Sequence, residues 1–128
     1  MAKKKKTPLF QVTDYFGNLV VLHEDWWIGH ILDPNEGHPQ MVGYENLVQR
    51  VVHDPFEVRL STKASTGAVF ISDVGVGPSP EGIRVVVGYP SITFEKGGGH
   101  GTVITAYPID LVRYSTPRIG KIIGRRGR

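Results

Sequence analysis

The sequence predicts an α+β domain in which two N-terminal helices pack on a curved, four- to six-stranded antiparallel sheet. Apolar residues recur at three- and four-residue intervals between residues 25 and 53, which is typical of helices. Between residues 56 and 107 they alternate with polar residues or form β-branched runs, which is typical of strands. The linkers between these strands are short, so antiparallel pairing is favoured, because parallel strands need long crossover connections.

Two short apolar runs near the start of the chain predict a pair of strands. They cover residues 9–12 and 19–22, and Gly17-Asn18 between them is a turn signal. We expect this hairpin to extend the sheet.

The first helix is predicted to begin at Glu24. Glu24 and Asp25 place negative charge where the helix dipole favours it, and apolar residues follow at helical spacing. The helix must end by Asp33, because a residue that precedes a proline is biased away from helical geometry. Trp26 and Trp27 are adjacent and cannot face the same way, so we expect one in the core and the other near the surface.

A second helix is predicted between Pro39 and Asp54. Proline suits the first turn of a helix, because its missing amide hydrogen would have no partner there. The helix carries one apolar stripe, made of Met41, Tyr44, Leu47, Val48, Val51 and Val52. His53 lies in the last turn, where the helix dipole favours a cation.

Four further strands are predicted, and strict alternation sorts their side chains onto two faces. The strands cover residues 56–61, 68–73, 83–89 and 102–107. The face that the helices cover is expected to carry Phe56, Val58, Leu60, Ile104 and Ala106. The other face is expected to carry Glu57, Arg59, Ser61, Arg84, Val103, Thr105 and Tyr107.

Length and composition limit the class of protein. A chain of 128 residues is long enough for one hydrophobic core but not for two. No apolar run approaches the roughly 18 residues that a membrane span needs, and the basic start is not followed by an apolar stretch of signal-peptide length. The chain has no cysteine, which excludes disulfides and thiolate zinc sites. We therefore expect a cytoplasmic protein without membrane contact.

The positive net charge comes from the two ends of the chain. The formal charge is +3, but nine of the fifteen cations lie in residues 3–6 and 118–128, and all twelve acids lie between them. Residues 7–117 therefore carry a formal charge of −6. We expect residues 1–8 to form a disordered basic arm, residues 9–114 the single domain, and residues 115–128 a flexible basic tail. These ends either assist binding to phosphate groups or only aid solubility.

His30 and His38 are the first candidates for catalytic residues. They lie eight residues apart around a Pro/Asn/Gly turn, which can bring them together at a junction between helices. Imidazole exchanges protons near neutral pH, so a paired site is plausible, although single histidines in small domains are mostly solvated or structural. The spacing does not fit a helical metal site and no clear third ligand is present, so we expect no metal.

Three short motifs resemble the phage-type nuclease domains of the barnase–EndoU–colicin–RelE superfamily. They are Trp27-x-x-His30-Ile31-Leu32, His38-Pro39-Gln40-Met41 and Val103-Ile104-Thr105-Ala106-Tyr107, and the resemblance covers about residues 25 to 112. It implies a barnase-like or RelE-like fold and a metal-independent endoribonuclease without cofactors. One departure is that Gln40 stands where the family's usual motif has a glutamate.

The ribonuclease interpretation gives each candidate residue a role. His30 and His38 are the candidates for acid and base, and neither role is assigned to one of them in particular. Arg59 would stabilise the phosphate, while Thr105 and Tyr107 would position the substrate. RNA would be the substrate, and the resemblance to toxins implies an antitoxin or immunity protein as a partner. The alternative is a non-catalytic module of the same fold that binds RNA or protein, and a third interpretation is a structural or immunity-type partner protein.

Overall fold

One seven-stranded sheet organises the molecule in the computed structural model, which describes residues 7–63, 66–110 and 119–126. The strands are β1 (Pro8–Thr13), β2 (Leu19–His23), β3 (Glu57–Ser61), β4 (Gly67–Ile71), β5 (Ile83–Gly88), β6 (His100–Pro108) and β7 (Ile119–Arg125). Their order across the sheet is β1-β2-β6-β5-β4-β3-β7. The expected basic arm lies almost wholly outside the described residues, as do parts of the expected tail.

The sheet is mixed, so the prediction of a four- to six-stranded antiparallel sheet under two N-terminal helices was wrong. β2 runs parallel to β6, with Leu19 opposite His100, whereas all the other neighbours are antiparallel. The long connection between β2 and β6 permits this parallel pair, because it leaves room for a crossover. The hairpin of β1 and β2 is confirmed.

The seventh strand lies in a segment that the sequence assigns to the basic tail. β7 pairs antiparallel with β3, and Ile122 lies opposite Arg59. Its three isoleucines favour a strand, whereas its two glycines disfavour one, and the hydrogen bonds to β3 support the element. This pairing adds an edge strand where the sequence was expected to form a flexible tail.

The helices are shorter and more broken than predicted. Helix α1 (Glu24–Trp26) is a single turn that continues into a π-helical turn at Trp27–Ile31. The second predicted helix divides into a 3₁₀ turn at Pro39–Met41 and helix α2 (Glu45–His53). Gly43 separates the two with a φ of 85°, a conformation that interrupts a right-handed helix. A further 3₁₀ turn covers Phe94–Lys96.

The core lies between the inner face of the sheet and these helical turns. Val48, Val51 and Val52 of α2 are buried in it, as the apolar stripe predicts. Trp27 is also buried, with 2% of its surface exposed, whereas Trp26 is 39% exposed. The expected division of the two tryptophans is therefore confirmed.

A bulge in β6 changes which side chains face the core. Val86 lies opposite Thr105, but the next residue of β5, Val87, lies opposite Val103, so Ile104 is an extra residue in β6. Val103 is consequently buried and Ile104 is 41% exposed, the reverse of the alternation expected for these two residues. Phe56 was also expected on the covered face, but it precedes β3 and is exposed.

A buried polar network joins the β1–β2 turn to the loop before β6. The Tyr89 hydroxyl donates to Asp14 Oδ2 at 2.6 Å, and Asn18 Nδ2 donates to the same carboxylate at 3.1 Å and to the Phe94 carbonyl at 2.8 Å. All three polar side chains are less than 10% exposed. Because their hydrogen-bonding groups pair with each other, the network satisfies groups that would otherwise be costly to bury.

The sheet curls until its two ends approach each other. Tyr15, in the turn after β1, lies so close to Gly124 of β7 that a Cβ on this glycine would meet the ring at 2.6 Å. The Arg125 amide also lies 3.4 Å from the Tyr15 hydroxyl. No helix in the described part of the chain is long and apolar enough to cross a membrane.

Candidate functional site

The turn after the first helical segment brings His38 back against it. Gly37 lies against the carbonyls of His30 and Ile31 so closely that a side chain at this position would clash with them. The His38 amide donates to the Ile31 carbonyl at 2.5 Å. Glycine is therefore required at residue 37, and the backbone of His38 is held beside the turn that carries His30.

His38 packs against Tyr107 of β6. Their ring centroids are 5.3 Å apart and the rings are inclined by 38°. Both side chains are half-buried. Burial lowers the pKa of His38 below its ordinary value of 6.5, because the charged imidazolium loses hydration. His38 is therefore neutral at neutral pH and able to accept a proton.

Arg84 lies directly opposite Tyr107 on the neighbouring strand β5. Paired residues of this kind have Cβ atoms about 4.5–5.5 Å apart and point to the same face. We call this the outer face, because the neighbouring residues Val85 and Ala106 point into the core. The Nε atom of Arg84 is buried and has no hydrogen-bond partner. Among the described residues, this guanidinium forms no ion pair.

Thr105 lies on the same face, two residues before Tyr107. It is half-buried and pairs with Val86, beside Arg84 on β5. A hydroxyl, a phenol and a guanidinium therefore share one small area next to His38. We call His38, Arg84, Thr105 and Tyr107 the outer-face cluster.

Arg59 lies apart from this cluster. It is on β3, three strands from β6, a distance of about 14 Å across a sheet. Its Nε donates to Glu57 at 2.6 Å, and its Nη1 donates to the Gly120 carbonyl at 3.2 Å. Burial would raise the pKa of Glu57, but hydrogen bonds and charge from Arg125 and Arg59 outweigh it and hold this pKa below its ordinary range. Arg59 thus stabilises a buried carboxylate.

His30 is linked to β6 through Trp26. Its ring stacks on Trp26 with centroids 3.9 Å apart, and both residues are exposed. The Trp26 Nε1 donates to the carbonyl of Ile104 at 3.0 Å, which fixes this stacked pair beside the bulge. Ile104 and Tyr107 are three residues apart, about 10 Å along a strand.

The structure therefore brings together His38, Thr105 and Tyr107, links His30 to the same strand through Trp26, and leaves Arg59 on a distant strand. Arg84 is the residue that sequence reasoning did not include among the site residues. The signal was present, because alternation puts Arg84 on the same face as Thr105 and Tyr107. Only the register shows that Arg84, and not Arg59, faces Tyr107.

Among the described residues, no group of three or more histidines and carboxylates is placed to hold a metal ion. No protein-family model matches the chain, and no curated protein or solved structure is significantly similar to it.

Proposed function

We propose that the protein is a metal-independent endoribonuclease that uses the outer-face cluster as its active site. One observation carries the proposal. Arg84 is half-buried, forms no ion pair among the described residues and lies directly across from Tyr107, which packs on a histidine whose pKa is lowered by burial. A guanidinium that is not paired with a carboxylate keeps its charge and its donors for an external anion. A phosphate group of RNA has the required charge and geometry.

The reaction follows from these groups. His38 takes the proton of a ribose 2′-hydroxyl, and the resulting oxygen attacks the adjacent phosphorus. A bond forms between the 2′-oxygen and phosphorus while the bond from phosphorus to the 5′-oxygen breaks. Tyr107 donates its phenolic proton to the leaving 5′-oxygen. The products are a 2′,3′-cyclic phosphate and a 5′-hydroxyl end.

Arg84 and Thr105 stabilise the pentacoordinate phosphorane. The guanidinium donates to its non-bridging oxygens, and the Thr105 hydroxyl adds a neutral donor. Arg84 also stabilises the phenolate that Tyr107 leaves after it donates its proton. Fixed donors in a half-buried site stabilise the transition state because they need no reorganisation.

The resemblance to phage-type nucleases supports the same activity. It extends the proposal to a cytoplasmic effector whose partner is an antitoxin or immunity protein. Such a partner would act by covering His38 and Arg84, since access of RNA to these two groups is what the reaction requires.

Cleavage of a labelled, mixed-sequence RNA in EDTA tests the proposal. We expect the intact protein to cleave and to leave 2′,3′-cyclic ends. His38→Ala should lower the rate by about 10²–10⁴-fold and Arg84→Ala by about 10²–10³-fold, the usual losses for a general base and for an oxyanion donor. Circular dichroism checks that the variants remain folded.

Two matched controls belong to this experiment. His100→Ala changes an exposed histidine at the other end of β6, and Arg50→Ala changes an exposed arginine on α2. Both variants should cleave like the intact protein. Cleavage that EDTA abolishes, or that survives His38→Ala unchanged, would refute the proposal.

A non-catalytic RNA- or protein-binding module is the second candidate, and one observation favours it. Gln40, two residues after His38, is exposed and offers an amide where the resembling family has a carboxylate. A neutral amide at this position can hold a ligand but cannot transfer a proton. Absence of cleavage together with Arg84-dependent binding of RNA would select this function.

A further inference from the structure

The stacked pair of Trp26 and His30 has the properties of a base-binding platform. Trp26 is 39% exposed although most tryptophans bury their rings, and His30 beside it is exposed too. The pair is rigid, because the Trp26 indole donates to the Ile104 carbonyl at 3.0 Å. A fixed, exposed aromatic ring binds with little loss of conformational entropy.

The position of the pair connects it to the proposed active site. Ile104, the residue that holds Trp26, is the bulged residue of β6 and precedes Thr105. About 10 Å of strand separates Ile104 from Tyr107, so a short stretch of one nucleic-acid strand reaches both. The exposed side chain of Ile104 adds apolar surface beside the rings.

We propose that Trp26 and His30 form a stacking subsite for one nucleobase of single-stranded RNA, next to the phosphate held by Arg84. The inference rests on the proposed function and assigns its substrate class as unpaired RNA. Bases of a duplex are stacked on each other and cannot reach a ring on a protein surface, whereas unpaired bases stack on aromatic side chains. His30 then acts as a stacking residue and not as an acid or base.

Binding of an uncleavable probe tests the subsite separately from catalysis. The probe is a five-nucleotide single-stranded RNA with 2′-O-methyl riboses, and its binding to the intact protein is followed by tryptophan fluorescence and by calorimetry. We expect Trp26→Leu to weaken binding by roughly 5- to 100-fold, the usual loss for one stacked base. Phe56→Leu is the matched control, because Phe56 is an exposed aromatic residue just before β3, and it should bind normally.

Probes that lack one base show whether a base occupies the subsite. Five versions of the probe each omit a different base. The version that lacks the stacked base should bind the intact protein as weakly as the full probe binds the Trp26→Leu variant. This version should bind the Trp26→Leu variant and the intact protein with equal affinity. Additive losses for all five versions would overturn the proposal, as would equal binding of the full probe by the intact protein and Trp26→Leu.

Substitution of His30 separates stacking from proton transfer. His30→Phe keeps an aromatic ring against Trp26 but cannot exchange a proton, whereas His30→Ala removes the ring. We expect His30→Phe to bind the probe close to normally and His30→Ala to weaken binding, because only the second variant removes the stacked ring. Equal binding of the probe by His30→Ala and the intact protein would overturn the stacking assignment, and loss of cleavage in His30→Phe with binding intact would overturn the exclusion of His30 from proton transfer. Trp26-dependent binding by a protein that does not cleave would leave the subsite standing and refute only the ribonuclease.

Discussion

The two histidines around the Pro/Asn/Gly turn have different surroundings, and the difference decides what each can do. His38 is half-buried against a phenol, and its pKa is lowered by burial. His30 is exposed and stacked on an indole. Proton transfer requires a base positioned against the reacting group, which suits His38, whereas an exposed stacked ring suits recognition of another flat ring.

The lowered pKa of His38 predicts the pH dependence of the proposed cleavage. Because burial disfavours the imidazolium, the base stays deprotonated below pH 6.5, the ordinary value. The acid limb of the pH profile of kcat/KM should therefore lie below pH 6.5. A limb at higher pH that disappears in His38→Gln would contradict this assignment.

The pH dependence of protein stability should also reflect the lowered pKa of His38. Between pH 6.5 and the lower pKa of the folded protein, the unfolded chain binds a proton at His38 more readily than the folded chain does. The free energy of unfolding should therefore fall as the pH is lowered through this window. Urea unfolding of the intact protein and His38→Gln measures it, and the variant should lose less stability on acidification.

Sequence reasoning grouped Arg59 with His38, Thr105 and Tyr107, whereas the arginine that the structure places opposite Tyr107 is Arg84. Arg59 and Arg84 both alternate onto the outer face, so local pattern cannot distinguish them. The distinction depends on strand order, which places β5 beside β6 and β3 three strands away. Strand order is a long-range property, and short motifs carry no information on it.

At the scale of elements, the network of Asp14, Asn18 and Tyr89 fixes the loops around the start of β6. The Gly99 amide donates to Asn18 Oδ1 at 3.0 Å, and the Leu19 amide donates to the Gly99 carbonyl at 2.9 Å. This brings Gly99, in the loop before β6, alongside β2 just before the parallel pair begins. Burial and the nearby Asp14 carboxylate raise the pKa of Tyr89, so its hydroxyl remains a donor at all ordinary pH values.

Removal of this donor should destabilise the protein. Tyr89→Phe leaves Asp14 buried with one hydrogen bond fewer, at a cost of about 1–3 kcal/mol. Urea unfolding measures the change. Tyr44→Phe is the control, because the Tyr44 hydroxyl makes no hydrogen bond among the described residues, and it should change stability little. Equal stability of the two variants would show that the network contributes nothing.

Local patterns predicted strands better than they predicted helices. The hairpin and the four later strands are present because alternation and β-branched runs are local properties of the sequence. The predicted helix after Pro39 was wrong between Met41 and Glu45, where Gly43 takes a positive φ. Its apolar stripe is nevertheless buried in α2, since both conformations present apolar residues to the same core.

At the scale of the whole molecule, the contact between Tyr15 and Gly124 holds the curled sheet closed. Gly124→Ala places a methyl group at 2.6 Å from the Tyr15 ring, so either this ring or the backbone of β7 must shift. We expect a loss of about 1–3 kcal/mol in the free energy of unfolding, as for other overpacked contacts. Thermal unfolding measures this loss.

The control for this prediction is a glycine with free space. A Cβ at Gly29 would meet nothing within 4 Å, and the residue lies in a helical turn with ordinary φ. Gly29→Ala should therefore keep or raise the stability, because alanine restricts the unfolded chain. If both variants behaved alike, the closing contact would have no energetic role.

The parallel pairing of β2 with β6 has a consequence for biosynthesis. Leu19 cannot pair with His100 until β6 has been synthesised. The first two strands therefore leave the ribosome long before the strand that joins them to the rest of the sheet. Thr105 and Tyr107 belong to that same late strand, and Trp26 is fixed to it as well. A nascent chain that ends before Tyr107 cannot contain the complete outer-face cluster. Under the proposed function, the cleavage site is therefore absent until β6 has been synthesised, which protects the messenger RNA while the preceding residues are made.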